Sequence, residues 1–176
     1  MKKHYFLFTM FNINASLFQH GLNIENVNQY LHLTLMKKLE NIKLSDVVLG
    51  GSIKCIKYAH KIIHLTDVDN WTLCNVAESG SFVCLKYAYE IIGATDVRNW
   101  TLSSSALSGS LACLKYAFNV IQANDDDNYT LSFAALSGKI SCLKYAFRII
   151  QSTDNVHKNT LSSASESGSL DCLKYA

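Results

Sequence analysis

The sequence lacks both a long apolar run and a large excess of charge of either sign. Its 176 residues are 49% hydrophobic and 17% charged, and the formal net charge is +2. A membrane-spanning helix needs ~20 consecutive apolar residues, and no run in this chain approaches that length. A dedicated nucleic-acid-binding domain carries a strongly basic footprint, which a pI of about 8.2 does not indicate. The composition therefore predicts a folded protein with no membrane span and no nucleic-acid partner.

Signatures of catalysis and of metal binding are also missing. Neither His-Glu-x-x-His nor Gly-x-Ser-x-Gly occurs, and Leu-Ser-Gly-Lys139-Ile lacks the leading glycine and the hydroxyl partner of a phosphate loop. His60 and His64 stand four residues apart and could share a metal on one helix face. In the repeat register they replace Phe118 and Gln122, which favours one packed and one solvated histidine. The sequence predicts no catalytic, cofactor or metal site, and hence no enzyme.

What the sequence does contain is one short pattern in five versions. The best-formed copy reads Ala106-Leu-Ser-Gly-Ser-Leu-Ala-Cys-Leu-Lys-Tyr-Ala117. Self-similarity at a fixed period of ~20 to 50 residues is the signature of a stacked-repeat architecture. The period is 29 residues, with a last step of 30, and it is carried by cysteines and glycines at Cys55, Cys84, Cys113, Cys142, Cys172 and Gly51, Gly80, Gly109, Gly138, Gly168.

One unit, 100–128, reads as two short helices. Leu102 and Ala106 are four apart in a segment that ends at Gly109, for which we expect a positive φ. Residues 111–122 form a second amphipathic segment with its apolar face around Cys113. Helices this short cannot bury their faces alone, but stacked copies can. The sequence therefore predicts an all-α helix-turn-helix repeat solenoid.

The connectors between units are short and polar. Asp67, Asp96, Asp125 and Asp154 recur in them, and in the first three an asparagine stands two residues before the recurring threonine of the next helix. Asparagine side chains are good helix N-caps. We expect the capping role to fall to Asn70, Asn99 and Asn128.

The segment Trp-Thr-Leu-Ser-x-x-Ala-x-Ser-Gly-Ser-Leu-x-Cys-Leu-Lys-Tyr-Ala, from Trp100 to Ala117, resembles the ankyrin repeat. The family's first helix opens Thr-Pro-Leu-His-x-Ala-Ala and its second reads Val-Val-Lys-Leu-Leu. Here the period is about four residues shorter, Trp-Thr replaces Thr-Pro, and the chain has no proline. The resemblance implies an ankyrin-like solenoid with short connectors in place of β-hairpin fingers. The matching residues are Leu102, Ala106, Gly109, Cys113, Leu114 and Lys115.

This register divides the chain into two parts. Residues 1–41 are expected to form an N-terminal cap or a degenerate repeat, since an end unit must shield an open apolar face. The array occupies 42–176, as units 42–70, 71–99, 100–128 and 129–158 and a partial unit 159–176. The open end of the partial unit suggests a structural alternative, in which a monomer associates weakly with another copy through its C-terminal end.

The cysteines are expected to be buried apolar residues. Equivalent positions in stacked helices lie ~8 to 10 Å apart, too far for a disulfide and too dispersed for one zinc ion. A column of free thiols indicates an intracellular, reducing compartment.

The predicted function is a non-enzymatic protein–protein interaction module. In proteins with this resemblance the inner surface of first helices and connectors contacts the partner. Divergent arrays rich in Asn, Ile, Lys and Tyr resemble those of intracellular bacteria and large DNA viruses, which implies a host protein as partner and, for an effector, the host cytoplasm. An alternative role for Trp71 and Trp100 is to fill the space of the missing hairpin. Candidate partner-binding residues are the positions that vary within the constant frame: Trp71, Asn75, Glu78, Trp100, Ser104, Leu107, Tyr129, Phe133 and Leu136.

Overall fold

The part of the chain that the structure describes is all-α. The computed structural model describes residues 43–61, 64–126, 128–150 and 154–176, and these residues contain helices and connecting segments without a strand. None of the helices in these ranges is long and apolar enough to cross a bilayer. The prediction of an all-α protein is confirmed. The prediction of a cap or degenerate repeat at 1–41 lies outside the described residues.

A first helix and a second helix alternate along the chain. The turn between them is short, and a longer connector leads to the next pair. Two of the second helices continue into a π-helical turn, at Ala88–Ile92 and Ala117–Ile121. In chain order the helices are α1 (Leu44–Val48), α2 (Ile53–Lys61), α3 (Thr72–Glu78), α4 (Phe82–Tyr87), α5 (Thr101–Leu107), α6 (Leu111–Tyr116), α7 (Thr130–Leu136), α8 (Ile140–Ile149), α9 (Asp154–Glu166) and α10 (Leu170–Tyr175).

The Ser-Gly-Ser turn explains why each first helix ends where it does. Gly109 has a φ of 69°, as expected from its place in the pattern, and its N–H donates to the carbonyl of Ala106 at 3.1 Å. The Ser108 hydroxyl donates to the carbonyl of Ser105 at 2.7 Å and accepts from the N–H of Ser110 at 3.2 Å. The serine therefore satisfies groups that a helix end leaves without partners.

The turns of neighbouring pairs approach one another closely. A Cβ atom added to Gly109 would stand 2.8 Å from Cγ of Lys139 and 3.5 Å from Cβ of Ser137, both in the next pair's turn. The glycine is thus required both for its left-handed backbone and for the space that it leaves to the neighbouring turn.

The connector caps the next helix through its aspartate, which corrects the expectation for asparagine. The N–H of Thr101 donates to Oδ1 of Asp96 at 3.2 Å, and the Thr101 hydroxyl donates to the same oxygen at 2.7 Å. The N–H of Thr72 likewise donates to Asp67 Oδ1 at 3.3 Å, and that of Thr130 to Asp125 Oδ1 at 3.0 Å. A carboxylate at a helix N-terminus also interacts favourably with the helix dipole.

The recurring asparagines have a conformational role instead. Asn70, Asn99 and Asn128 have φ values of 57°, 54° and 57°. Asparagine is one of the few residues other than glycine that enters the left-handed region readily. This conformation turns the chain into the helix start, and the residue that precedes the helix is then Trp71, Trp100 or Tyr129.

Equivalent helices of successive pairs pack side by side. Each first helix from α3 to α9 contacts the first helix before it, and each second helix from α4 to α10 contacts the second helix before it. The core between them is a row of fully buried leucines and alanines. Burial of one leucine side chain contributes about 1.5 to 3 kcal/mol, so each pair depends on its neighbours for most of its stability. The residues at 0 or 1% exposure include Ile56, Leu73, Leu85, Ala88, Leu102, Leu114, Ala117, Leu131, Leu143 and Ala146.

The last pair departs from this scheme. Helix α9 begins at Asp154, six residues before Thr160, whereas α7 begins at the equivalent Thr130 itself. The change coincides with the one step of 30 residues in the repeat. Leu161 and Leu173 are 49% and 38% exposed. The equivalent leucines of the inner pairs are fully buried.

We expect the aspartate cap to be a measurable part of the stability. Replacing Asp96 by alanine removes the acceptor for Thr101 and should lower the free energy of unfolding by about 1 to 2 kcal/mol. Asp96→Asn keeps an acceptor oxygen and should lose less than the alanine variant. Urea unfolding followed by circular dichroism measures both changes. An alanine variant within the error of the wild-type value would show that the cap contributes nothing.

Candidate protein-binding surface

An aromatic residue stands immediately before each of three first helices. Trp71, Trp100 and Tyr129 precede α3, α5 and α7 with similar backbone angles, with φ between −110° and −102°. Each follows a left-handed asparagine and is therefore carried to the same place in its unit. Because successive first helices pack side by side, the three side chains form a row across the units. We call Trp71, Trp100, Tyr129 and Phe133 the aromatic row.

Two members of the row meet edge to face. The ring centroids of Trp71 and Trp100 lie 5.6 Å apart, with an angle of 88° between the rings. The guanidinium carbon of Arg98 lies 4.7 Å from the Trp71 ring centroid. Trp71 is half-buried by these contacts, and Trp100 remains 44% exposed. A rigid aromatic surface is thus available beside a cation, which is a composition typical of interaction hot spots.

The other two members stack on each other. Tyr129 and Phe133 have ring centroids 5.3 Å apart and an interplanar angle of 16°. Phe133 is half-buried, and Tyr129 is 49% exposed. The half-buried Leu107 and Leu136 lie at the ends of α5 and α7. The stacked pair therefore presents mainly the tyrosine to solvent.

The remaining predicted site residues differ in accessibility. Glu78 is exposed at the end of α3. The Asn75 side chain donates to the carbonyl of Ser45 at 3.0 Å and so joins α3 to α1. Ser104 is only 7% exposed, because α5 is covered by α3 on one side and by α7 on the other.

Two exposed apolar residues of the connectors were not among the predicted site residues. Val68 and Val97 are 72% and 66% exposed, and each directly follows a capping aspartate. Their equivalent in the next connector is Asp126, whose carboxylate accepts from Asn99 Nδ2 at 2.6 Å. The sequence signal that could have found the two valines is that the residue directly after the recurring Asp67, Asp96 and Asp125 varies.

Tyrosines and lysines on the second helices interlock between units. The hydroxyl groups of Tyr116 and Tyr145 form hydrogen bonds to a neighbouring unit. The Tyr116 hydroxyl donates to Glu90 Oε1 at 2.9 Å, and Asn119 Nδ2 donates to the Tyr145 hydroxyl at 3.1 Å. Each partner belongs to the preceding second helix or its π-helical turn. Burial and the Glu90 carboxylate raise the pKa of Tyr116 to about 12.

The repeated lysines lie over these tyrosine rings. Lys57 Nζ is 5.7 Å from the ring centroid of Tyr87, and Lys115 Nζ is 5.8 Å from that of Tyr145. Lys144 Nζ stands 5.5 Å from the ring centroid of Tyr175. The lysine of one second helix therefore meets the tyrosine of the next.

The six cysteines are free, and five of them are buried. Burial raises the pKa of Cys74 to about 12 and raises the pKa of Cys84, Cys113 and Cys142 above the usual value. The thiol is neither a good nucleophile nor a good metal ligand until it loses its proton. Burial at these positions confirms the prediction of a packing role.

The two histidines occupy the environments that the repeat register predicted. His60 packs edge-on against Tyr87 at 6.0 Å, and its Nδ1 lies 3.2 Å from the Tyr87 hydroxyl. His64 is exposed, with a φ of 59° that matches 58° at the equivalent Gln122. Within the described residues, no group of three or more His, Cys, Asp or Glu side chains could bind a metal ion.

Comparisons of the chain with protein-family models, with curated proteins and with solved structures find no match.

We expect thiol labelling to distinguish Cys55 from the buried cysteines. Cys55 is half-buried, whereas Cys84, Cys113 and Cys142 are fully buried. A disulfide reagent should therefore label Cys55 first in the native protein, and all six cysteines in urea. Cys55→Ser should remove the rapid phase, and Cys113→Ser should leave it unchanged. Rapid native labelling of Cys113 would contradict its burial.

Proposed function

We propose that this chain is an ankyrin-like repeat solenoid that acts as a non-enzymatic protein–protein interaction module. The observation that carries the proposal is the aromatic row, which leaves Trp100 and Tyr129 about half exposed beside the exposed Val97. Large aromatic side chains in rigid positions supply much of the affinity of protein interfaces. Contiguous exposed apolar area on a folded protein is typical of an interaction site.

The order of the helices supports the solenoid part of the proposal. Short first and second helices alternate, and equivalent helices lie side by side. The connector is short, since six residues lie between Ile121, where the π-helical turn ends, and Asn128. An array built in this way presents a continuous surface of first helices and connectors. A partner could therefore contact several units at once.

The row needs little rearrangement before it binds. Trp71 is fixed by Trp100 and Arg98, and Tyr129 is fixed by Phe133. Side chains that are already ordered lose less conformational entropy on association. Ser104 offers almost no surface and does not belong to the proposed contact set.

The surroundings of the row indicate the chemistry of the partner. The connectors beside it carry carboxylates at Asp69, Asp96, Asp125 and Asp126, against one guanidinium at Arg98. A complementary partner has apolar side chains flanked by basic ones. A host protein exposed to a reducing compartment is the partner class that we propose, in keeping with the free buried thiols.

Substitution of the exposed aromatic residues tests the proposal. In a pull-down from host-cell extract, the wild-type chain should capture a protein that the double variant Trp100→Ala/Tyr129→Ala does not. With that protein purified, titration calorimetry should give a Kd at least ~30-fold weaker for the double variant, since hot-spot residues contribute about 2 kcal/mol or more.

Phe118→Ala is the matched control, because Phe118 is an exposed aromatic residue on the second-helix side. It should bind the captured protein with the wild-type Kd. Circular dichroism and urea unfolding should show both variants folded. Equal Kd values for the wild type and the double variant would remove the aromatic row from the interface.

The exposed leucines of the last pair favour a second candidate function, self-association. Leu161 and Leu173 occupy positions that are fully buried between units elsewhere. Leu170 and Tyr175 add exposed apolar area on the same pair, at 61% and 44%. A second copy could cover this face in the way that a neighbouring unit covers the inner ones.

Light scattering across a range of concentrations distinguishes self-association from a monomeric binding module. If copies associate through this face, the mean mass should rise with concentration, and Leu161→Lys/Leu173→Lys should return it to the monomer value. A lysine at either position meets solvent in the monomer and should not unfold it. A wild-type mass that stays monomeric at all concentrations would exclude this candidate.

A further inference from the structure

The second helices carry a stripe of exposed residues with a strong basic excess. The stripe takes the i, i+3 and i+7 positions of each second helix, which lie on one face of a helix. It contains eight lysines and arginines against two acidic residues. Its members, all exposed, are Lys54, Lys57, Lys61, Val83, Lys86, Glu90, Ala112, Lys115, Asn119, Ser141, Lys144, Arg148, Asp171 and Lys174.

The opposite charge is concentrated elsewhere. Among the described side chains of the first helices and of the segments that lead into them, the lysines and arginines are Lys43 and Arg98. The net charge is only +2 because the positive charge of the second helices is offset by the negative charge of the first helices and connectors. The acidic residues of the first helices and connectors are Asp46, Asp67, Asp69, Glu78, Asp96, Asp125, Asp126 and Glu166.

The lysines of the stripe are spaced by the units themselves. Lys57, Lys115 and Lys144 lie over tyrosine rings of the following unit, at 5.5 to 5.8 Å from the ring centroids. Packed helices lie ~8 to 10 Å apart, so the ammonium groups recur at about that distance. Lys86 forms an ion pair with Glu90 at 3.8 Å but is still 52% exposed. The result is an ordered basic array.

Exposed apolar side chains occur within the stripe and beside it. Val83 is 60% exposed in the position that Lys54 takes one unit earlier. Phe82 and Leu170, each at the start of a second helix, are 39% and 61% exposed. Apolar side chains among lysines can enter the region between lipid headgroups and acyl chains, while the lysines remain at the headgroups.

We propose that this stripe binds an anionic membrane surface. Seven of its eight basic residues are lysines, which act as point charges and lack the fork by which arginine recognises a single phosphate. This favours a diffuse anionic surface over one specific phosphate group. Each lysine or arginine close to such a surface adds to the attraction, and salt weakens it. The inference is independent of the proposed protein-binding function, which uses the first-helix side.

Vesicle sedimentation of the full chain tests the proposal. The protein should sediment with phosphatidylcholine vesicles that contain phosphatidylserine, and should remain in solution with pure phosphatidylcholine. Binding should disappear in high salt. The variant Lys54→Gln/Lys61→Gln should bind on the order of 10- to 30-fold more weakly, because two charges leave the stripe.

The matched control is Lys43→Gln/Lys139→Gln, which changes the net charge equally at exposed positions outside the stripe. It should bind vesicles as the wild type does. Equal losses in the two variants, or no wild-type binding to phosphatidylserine vesicles, would overturn the proposal. Retention of a DNA duplex or of polyglutamate at a salt concentration where vesicles are not bound would show that the stripe serves another anionic partner.

Discussion

The structure depends on the fact that a pair of short helices cannot bury its own apolar faces. Leu85, Leu114 and Leu143 are fully buried, because a second helix on either side covers each of them. In the last described pair, Leu173 takes the same type of position and is 38% exposed. Stability is therefore shared between neighbouring units, and every unit is constrained to repeat the same apolar positions. That constraint explains why the sequence pattern is so regular and also where it is free to vary.

Features that depend on one unit alone could be predicted from the sequence. The helix ends near Gly109, the start of the second helix near Leu111 and the burial of Cys113 all follow from local pattern and backbone preference. Prediction was weaker where two polar residues of one connector could each cap the following helix. Residues like Asn99 and Asp96 both recur, and only the structure shows that the aspartate caps the helix while the asparagine turns the chain.

Features that arise between units could not be predicted from the pattern of a single unit. The pattern of one helix cannot show that Lys57 lies over the ring of Tyr87 on the next second helix. Ser104 was predicted as a binding residue because its position varies, but it lies where α5 packs against its neighbours and is buried. In the candidate protein-binding surface, the aromatic row was predicted from its variation, whereas the exposure of Val68 and Val97 was not.

The aspartate cap has a further consequence for how such a chain can change over time. Asp67, Asp96 and Asp125 each cap the first helix of the following unit, so the next residue of the connector is not needed for the cap. That residue is Val68, Val97 or Asp126, three solvent-facing side chains of different character on one unchanged frame. Selection can therefore alter the contact chemistry one unit at a time without disturbing the packing, and a family of surfaces can be generated from a single scaffold.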